Sequence, residues 1–154
     1  MQLNGLGKSR LMKLKISEKK CTGCQLCQLA CSATKNLCFG IHRSRINILS
    51  IEECTQKISV CRGCKRCQCI EACHYDAFTR NKHTGGVHIE EENCQACLAC
   101  LDACPFKAVK MDSIKNIPMV CDLCNGNPQC VETCFSGALS LNKAPIPEHF
   151  LKNP

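Results

Sequence analysis

Cysteines are the residues of this chain best able to do chemistry. There are nineteen of them among 154 residues, a share of about 12% that is typical of short chains held together by cross-links or metals. Sixteen of them fall into four groups of four, and the other three are Cys38, Cys54 and Cys67. The groups are Cys21, Cys24, Cys27 and Cys31; Cys61, Cys64, Cys69 and Cys73; Cys94, Cys97, Cys100 and Cys104; and Cys121, Cys124, Cys130 and Cys134.

The spacing within the groups is that of iron–sulfur ligands. The first and third groups follow C-x₂-C-x₂-C-x₃-C, the run of bacterial ferredoxins, and Pro105 follows the third as it does there. Two residues between ligands let a tight loop wrap one cluster. The x₃ step carries the fourth cysteine about one helical turn further, toward a different cluster. The fourth group widens the middle gap to x₅. We therefore predict four [4Fe–4S] clusters, with the sixteen grouped cysteines as ligands.

The second group can be interpreted in two ways. With Cys69 as the third ligand its spacing is x₂, x₄, x₃ and ends on Cys73. With Cys67 as the third ligand the x₃ step would end on Glu71, which is a poor match. We therefore assign Cys69 and treat Cys67 as a spare. Cys38 and Cys54 fit none of the groups and are interpreted as small buried hydrophobic residues.

Disulfides and zinc are the alternatives to iron. The first ten residues lack the apolar stretch of a secretory signal, and no segment approaches the ~18 apolar residues of a membrane span. We therefore expect a cytoplasmic protein without direct membrane insertion. In the reducing cytoplasm, clustered cysteines indicate metal binding. Zinc usually takes separated C-x₂-C pairs, and these runs are denser than zinc needs. Because aromatic residues are also scarce, the bound clusters are expected to stabilise a thin core.

The charge balance argues against a nucleic-acid partner once the clusters are counted. The formal net charge is +7. A [4Fe–4S] cluster with four thiolates adds about −2, so four clusters bring the total to roughly −1. We expect no binding to nucleic acid on electrostatic grounds.

A short repeat follows three of the groups. Ala77, Ala108 and Ala138 each lie four residues after a group's last cysteine and precede an apolar residue. A small residue there keeps the chain close to the cluster before a strand begins. Alternating polarity further predicts strands at residues 11–17 and 45–51, and glycines between apolar runs predict a hairpin turn at residues 81–86.

The order of the groups predicts an α+β, ferredoxin-like fold built from two bacterial two-cluster modules, one inserted in the other. Groups two and three lie close together and groups one and four bracket them. The inner module is expected at residues 54–114, the outer module at residues 12–53 plus 115–142, and terminal arms at 1–11 and 143–154. In two-cluster ferredoxins the fourth cysteine of each run binds the other cluster. The expected ligand sets are Cys21, Cys24, Cys27 and Cys134; Cys121, Cys124, Cys130 and Cys31; Cys61, Cys64, Cys69 and Cys104; and Cys94, Cys97, Cys100 and Cys73.

Over residues 12–142 the four runs, their order and the insertion layout resemble the four-cluster small (beta) subunits of molybdenum and tungsten oxidoreductases. That group includes dimethyl sulfoxide reductase, formate dehydrogenase and small subunits beside aldehyde ferredoxin oxidoreductase-type enzymes. The resemblance implies an electron relay. It also implies two partners, a large catalytic subunit with a molybdenum or tungsten pterin and a further electron donor or acceptor subunit.

The chain itself is expected to be non-catalytic. It offers no nucleophile–base pair and no phosphate loop, and each cluster can be given four thiolates, which leaves no iron open to a substrate. The alternative to a dedicated subunit is a free polyferredoxin that carries electrons among several enzymes.

Overall fold

The computed structural model describes residues 10–52 and 55–145, so Cys54 and the outer parts of both terminal arms lie outside the described residues. The helices and strands follow one another as β1 (Arg10–Ile16), α1 (Leu26–Asn36), β2 (Asn47–Glu52), β3 (Thr55–Ser59), α2 (Gln68–Glu71), β4 (Phe78–Arg80), β5 (Val87–Ile89), α3 (Ala99–Ala103), β6 (Lys110–Asp112), β7 (Ile117–Met119), α4 (Gln129–Glu132) and β8 (Leu139–Pro145). Short 3₁₀ turns lie at Glu18–Lys20, Ile41–Arg43 and Leu123–Gly126. The chain is a small α+β protein, as predicted.

The described strands pair as four antiparallel ribbons of two strands each. β1 pairs with β8, so that Leu14 lies opposite Leu141 and the first and last described strands meet. The other ribbons are the hairpins β2–β3, β4–β5 and β6–β7. The predicted strands at residues 11–17 and 45–51 correspond to β1 and β2. The β1–β8 ribbon also includes residues 10, 11 and 143–145, which were expected to belong to the arms.

The hairpin of β4 and β5 confirms the turn predicted at residues 81–86. Asn81 shapes this turn, because its Oδ1 accepts hydrogen bonds from the backbone N–H of His83 at 2.8 Å and of Thr84 at 3.1 Å. Such asparagine side chains replace a backbone acceptor and close the chain locally.

The same turn packs on β1. The Met12 N–H donates to the Thr84 carbonyl at 2.8 Å. Gly85 has φ +77°, and a Cβ at this position would collide with the side chain of Leu11. Glycine is therefore required here both by backbone conformation and by the close approach. This contact fixes the middle of the chain against its ends.

The hairpin of β6 and β7 was not predicted from the sequence, and a buried carboxylate holds it. Asp112 Oδ1 accepts from the N–H of Ile114 at 2.9 Å and of Lys115 at 3.2 Å, and Oδ2 pairs with Arg43 at 3.2 Å. Burial favours the neutral acid, but the two N–H groups and Arg43 outweigh it and hold the pKa of Asp112 below its ordinary value. Asp112 thereby joins this hairpin to the 3₁₀ turn after α1.

The exits from three cysteine groups share one structure. Ala77, Ala108 and Ala138 are 1–2% exposed, and a strand begins one or two residues after each. The apolar residue after each alanine therefore lies at or next to the start of a strand, as predicted.

The first group leaves differently, as the missing repeat predicted. Cys31 lies in the middle of α1, which has 11 residues and continues to Asn36. The helices α2, α3 and α4 have only four or five residues. Within residues 10–52 and 55–145, no helix combines the length and the apolar character needed to cross a bilayer.

The buried side chains form two clusters. The aliphatic members of the first are Leu14, Ile46, Ile48, Ile58, Val60, Leu123, Ala138 and Leu139. Those of the second are Ala77, Val87, Ile89, Ala108, Val109 and Val120. The first cluster draws mainly on both ends of the chain and the second on its middle. Cysteines complete both clusters, so the sulfur sites and the core are built from the same residues.

Candidate iron–sulfur centres

Left-handed backbone recurs inside all four cysteine groups. The residues with positive φ there are Gly23, Gln25, Gly63, Ala96, Leu98, Leu123, Cys124, Asn125 and Gly126. A non-glycine residue in this region costs roughly 1–2 kcal/mol. Left-handed residues next to right-handed ones turn successive N–H groups to one side, and the resulting concavity binds anions and the sulfurs of iron–sulfur clusters. The loops are therefore shaped for a group with negative charge on its surface.

The first set of thiols forms around Cys27 at the start of α1. Burial is the main cause that raises the pKa of Cys27 to about 12, and the nearby thiols of Cys21, Cys134 and Cys24 add to it. Such thiols influence one another only at short range. Cys134 comes from the far end of the sequence, and it arrives here because α4 packs on α1.

The second set forms around Cys130 in α4. Burial again leads, and the thiols of Cys31, Cys124 and Cys27 then raise the pKa of Cys130 to about 12. Cys31 is held in place by the backbone of Arg45, whose N–H donates to its Sγ at 3.3 Å. The middle of α1 therefore supplies a thiol to the loop before α4.

Two of these effects of one thiol on the pKa of another connect different sets. Cys130 of the second set has Cys27 of the first among its neighbours. Burial raises the pKa of Cys121 well above its ordinary value, and the thiols of Cys130, Cys31 and Cys61 add to this. Cys61 opens the next sequence group, so the second set lies between the first and the third.

The third set contains five thiols. The pKa of Cys61 rises to about 11, through burial first and then through Cys67, Cys64 and Cys104. The pKa of Cys69 is raised first by the hydrogen bond that it shares with Cys67, then by burial and by the charges of Cys67, Cys104 and Cys61. The four expected ligands meet here, and Cys67 lies among them.

The fourth set forms around Cys100 in α3. Burial raises the pKa of Cys100 to about 11, and the thiols of Cys94, Cys97 and Cys73 contribute. Cys73 reaches the set because it ends the segment that includes α2, and α2 packs on α3.

The ungrouped cysteines occupy three different situations. Cys67, interpreted from the sequence as a spare, is 6% exposed and lies inside the third set. Cys38 is half-buried beside Arg43, whose Nη1 lies 3.8 Å from its sulfur. Cys54 lies outside the described residues. The eighteen cysteines of the described part are all free of disulfide bonds.

A carboxylate that the sequence did not single out supports the second set. Asp122 accepts from Lys35 Nζ at 2.7 Å and from the Cys124 N–H at 3.0 Å, and it pairs with Arg45 at 3.0 Å. Burial favours the neutral acid, but these three partners outweigh it and hold the pKa of Asp122 below its ordinary value. Asp122 thus ties the loop that holds Cys124 to α1 and to the segment that fixes Cys31.

Whether these sets suit iron–sulfur clusters depends on their donors and surroundings. Thiolates are the donors that such clusters take, four to each cluster. In each set at least one buried thiol has a raised pKa, so that its protonated form is favoured until a cation replaces the proton. The concave loops add N–H donors. Among the described residues no three His, Cys, Asp or Glu side chains are arranged to hold a single metal ion.

Comparison with known proteins identifies the family. The 4Fe–4S dicluster domain matches residues 53–144. The chain belongs to this family. It is 35% identical to the polyferredoxin-like subunit of aliphatic sulfonate oxidoreductase from Pyrococcus furiosus, across 90% of this chain and 84% of that one. Together with the four thiol sets, the family identifies the cofactors as four [4Fe–4S] clusters, as the spacing predicted.

Two further relatives match this chain with different sequence identities and over different shares of their own length. The chain is 26% identical to the thiosulfate reductase electron transfer subunit of Salmonella typhi, across 82% of this chain and 72% of that one. It is 33% identical to the beta subunit of NADH-dependent phenylglyoxylate dehydrogenase from Aromatoleum evansii, where it covers 78% of this chain but only 28% of that subunit.

A solved structure shares the fold. A chain of the active site complex BamBC of benzoyl coenzyme A reductase superposes with a TM-score of 0.54 and 22% identity, across 92% of this chain and 85% of that one. At this identity the likeness concerns the fold alone.

Proposed function

We propose that this chain is the non-catalytic electron-transfer subunit of an oxidoreductase complex. In this proposal it relays electrons between a large catalytic subunit, which carries a molybdenum or tungsten pterin, and a further donor or acceptor subunit. The observation that supports it most is the chain of neighbouring thiol sets, from Cys27 to Cys130 and from Cys121 to Cys61. A [4Fe–4S] cluster bound by four thiolates takes up or gives up one electron and leaves no iron open to a substrate.

The ligands that we propose are the four cross-linked sets expected from the sequence. They are Cys21, Cys24, Cys27 and Cys134; Cys121, Cys124, Cys130 and Cys31; Cys61, Cys64, Cys69 and Cys104; and Cys94, Cys97, Cys100 and Cys73. The proximities described above support each set. The packing of α1 on α4 and of α2 on α3, with the two hydrophobic clusters, supports the nested modules. Ile58, Val60 and Val120 pack across the expected boundaries at residues 54 and 115.

The exposure of the cysteines suggests where electrons enter and leave. Cys24 of the first set and Cys97 of the fourth are the exposed cysteines of the described part, whereas Cys121 and Cys31 of the second set are buried. The proposed order places the first and fourth sets at the two ends of the relay. Each end then has an exposed cysteine that can face a partner, while the inner sets contain none that is exposed.

The surface near the first and second sets suggests a protein partner. Leu37 and Phe39, just after α1, are 94% and 83% exposed, and Ile51 in β2 is 58% exposed. Large apolar side chains in such positions are typical of interaction sites. The relatives named above are subunits of larger enzymes by their names. The segment between Cys31 and Cys61 is therefore our candidate for the interface. The Pro-rich tail, also considered from the sequence, lies outside the described residues beyond Pro145.

Anaerobic purification of the native complex tests the proposal. The chain should hold about 16 Fe and as much acid-labile sulfide. It should co-purify at moderate salt with a much larger chain that contains molybdenum or tungsten, measured by mass spectrometry. A monomer of 17.0 kDa that reduces several unrelated enzymes would contradict the proposal and support a free polyferredoxin. A complex that contains neither metal would contradict the pterin partner alone.

A further inference from the structure

Cys67 is the buried thiol that the proposed ligand sets leave unused. It caps the N-terminus of α2 in extended conformation, two residues before Cys69. Its sulfur donates to the carbonyl oxygen of Cys64 at 3.1 Å. It is also the first thiol among the neighbours of Cys61, ahead of Cys64 and Cys104. A fifth thiol thus lies within the third set, beside the ligands that we assign.

Arg80 holds this sulfur from the other side. Its Nη2 donates to Cys67 Sγ at 2.7 Å and to the Cys64 carbonyl at 2.9 Å. Arg80 is fixed because it ends β4, where it pairs with Val87 of β5. The guanidinium is charged at any physiological pH, so its attraction for the sulfur is permanent. Cys69, by contrast, lies inside α2.

We propose that Cys67 is a held-out fifth ligand of the third centre, and that Arg80 is the positioning residue that keeps its sulfur away from the iron. This inference rests on the ligand sets proposed above. Cys67 takes the iron when Cys69 is lost. In an exchange between the two, the bond from iron to Cys69 breaks and a bond from iron to Cys67 forms. The Cys67 proton passes to the departing Cys69, and no electron is transferred.

Iron content after anaerobic reconstitution tests the ligand exchange. Cys69→Ala and Cys67→Ala should each retain about 16 Fe, and the double variant should fall to about 12. Cys73→Ala is the matched control. Cys73 ends the second sequence group and belongs to the fourth set, and its neighbours in the sequence carry no sulfur that could replace it. It should fall to about 12 Fe. If the wild-type chain does not hold about 16 Fe, the proposed function fails. If it does and Cys69→Ala holds only about 12, or Cys67→Ala alone loses a cluster, the held-out ligand is refuted and the four clusters stand.

A spectroscopic cycle tests the role of Arg80. Arg80→Met should add a second form to the electron paramagnetic resonance spectrum of the dithionite-reduced protein, because both thiols can then bind. The added form should vanish in Cys67→Ala/Arg80→Met. Arg62→Met is the control, because it removes an equal charge near the same set. The Arg62 side chain contacts Phe106 and the Ile58 carbonyl. An Arg80→Met spectrum like that of the wild type, or a change that persists without Cys67, would refute the positioning role.

Discussion

Replacing Asp122 should weaken the second centre more than any ordinary surface change. Asp122→Ala removes the hydrogen bond to the Cys124 N–H and both ion pairs, with Lys35 and Arg45. The side chains of Asp122 and Lys35 are each 16% exposed and that of Arg45 is 22% exposed. A hydrogen bond to a charged group contributes about 1.5–3 kcal/mol, and a solvent-accessible ion pair adds about 0–1 kcal/mol. We therefore expect the free energy of unfolding to fall by about 3 kcal/mol.

Thermal denaturation under nitrogen, followed by the visible absorbance of the clusters, measures this loss. For a chain of this size about 3 kcal/mol corresponds to a Tm roughly 6–12 °C lower at one fixed scan rate. Asp122→Asn keeps an acceptor for the Cys124 N–H and should fall by about half as much. Glu91→Gln is the control, since its pair with Lys115 joins side chains that are 56% and 50% exposed. It should shift the Tm by less than about 3 °C.

The pattern among these variants decides whether the reasoning is right. Asp122 acts through the loop of one centre, so iron should leave Asp122→Ala in a first step of about 4 Fe before the rest is released. An Asp122→Ala protein with the Tm of Glu91→Gln would refute the importance of the contacts. A single step that releases all the iron would refute the assignment of Asp122 to the second centre.

Three other perturbations address cross-ligation, pH and docking. Cys134→Ser should hold about 12 Fe and lose the first centre, far away in sequence, whereas Cys38→Ser should hold about 16 by iron and sulfide analysis. Asp112→Asn should have a lower Tm than the wild type at pH 7; since the folded pKa of Asp112 is depressed, this difference should shrink as the pH falls below about 4. Phe39→Ser should leave the Tm unchanged but reduce recovery of the large partner in an anaerobic pull-down, while Ile114→Ser, at another exposed apolar residue (66%, against 83% for Phe39), should not.

Much of the site follows from the sequence because iron–sulfur ligation is local. Three of the four ligands in each proposed set come from one short loop, and their spacing reflects the size of a cluster. The buried alanines after the loops were also predictable, since only a small side chain fits where the chain turns under a cluster. Ala77, Ala108 and Ala138 all occupy such positions.

The parts that could not be predicted depend on contacts between distant segments. Nothing near Asp122 in the sequence indicates that Lys35 and Arg45 reach it. The contact of Arg80 with Cys67 is of the same kind, because it depends on how the β4–β5 hairpin lies against the second loop. The hairpin of β6 and β7 was missed because its strands have only three residues each and because its turn, residues 113–116, has no glycine to mark it, unlike the turn between β4 and β5.

The proposed ligand sets agree with the packing of the helices. In these sets the fourth cysteine of each group completes a set begun by another group, and the helices pack in the corresponding pairs, α1 on α4 and α2 on α3. Each pair covers the sets between its helices. The turn between β4 and β5 then closes the two halves together through Thr84 and Met12, next to Cys121 and Cys61, where the proposed second and third centres meet. Low water access there favours the passage of electrons between clusters over their loss to molecules dissolved in the solvent. Among the described cysteines the exposed ones are Cys24 and Cys97, on the two centres that we propose to face partners.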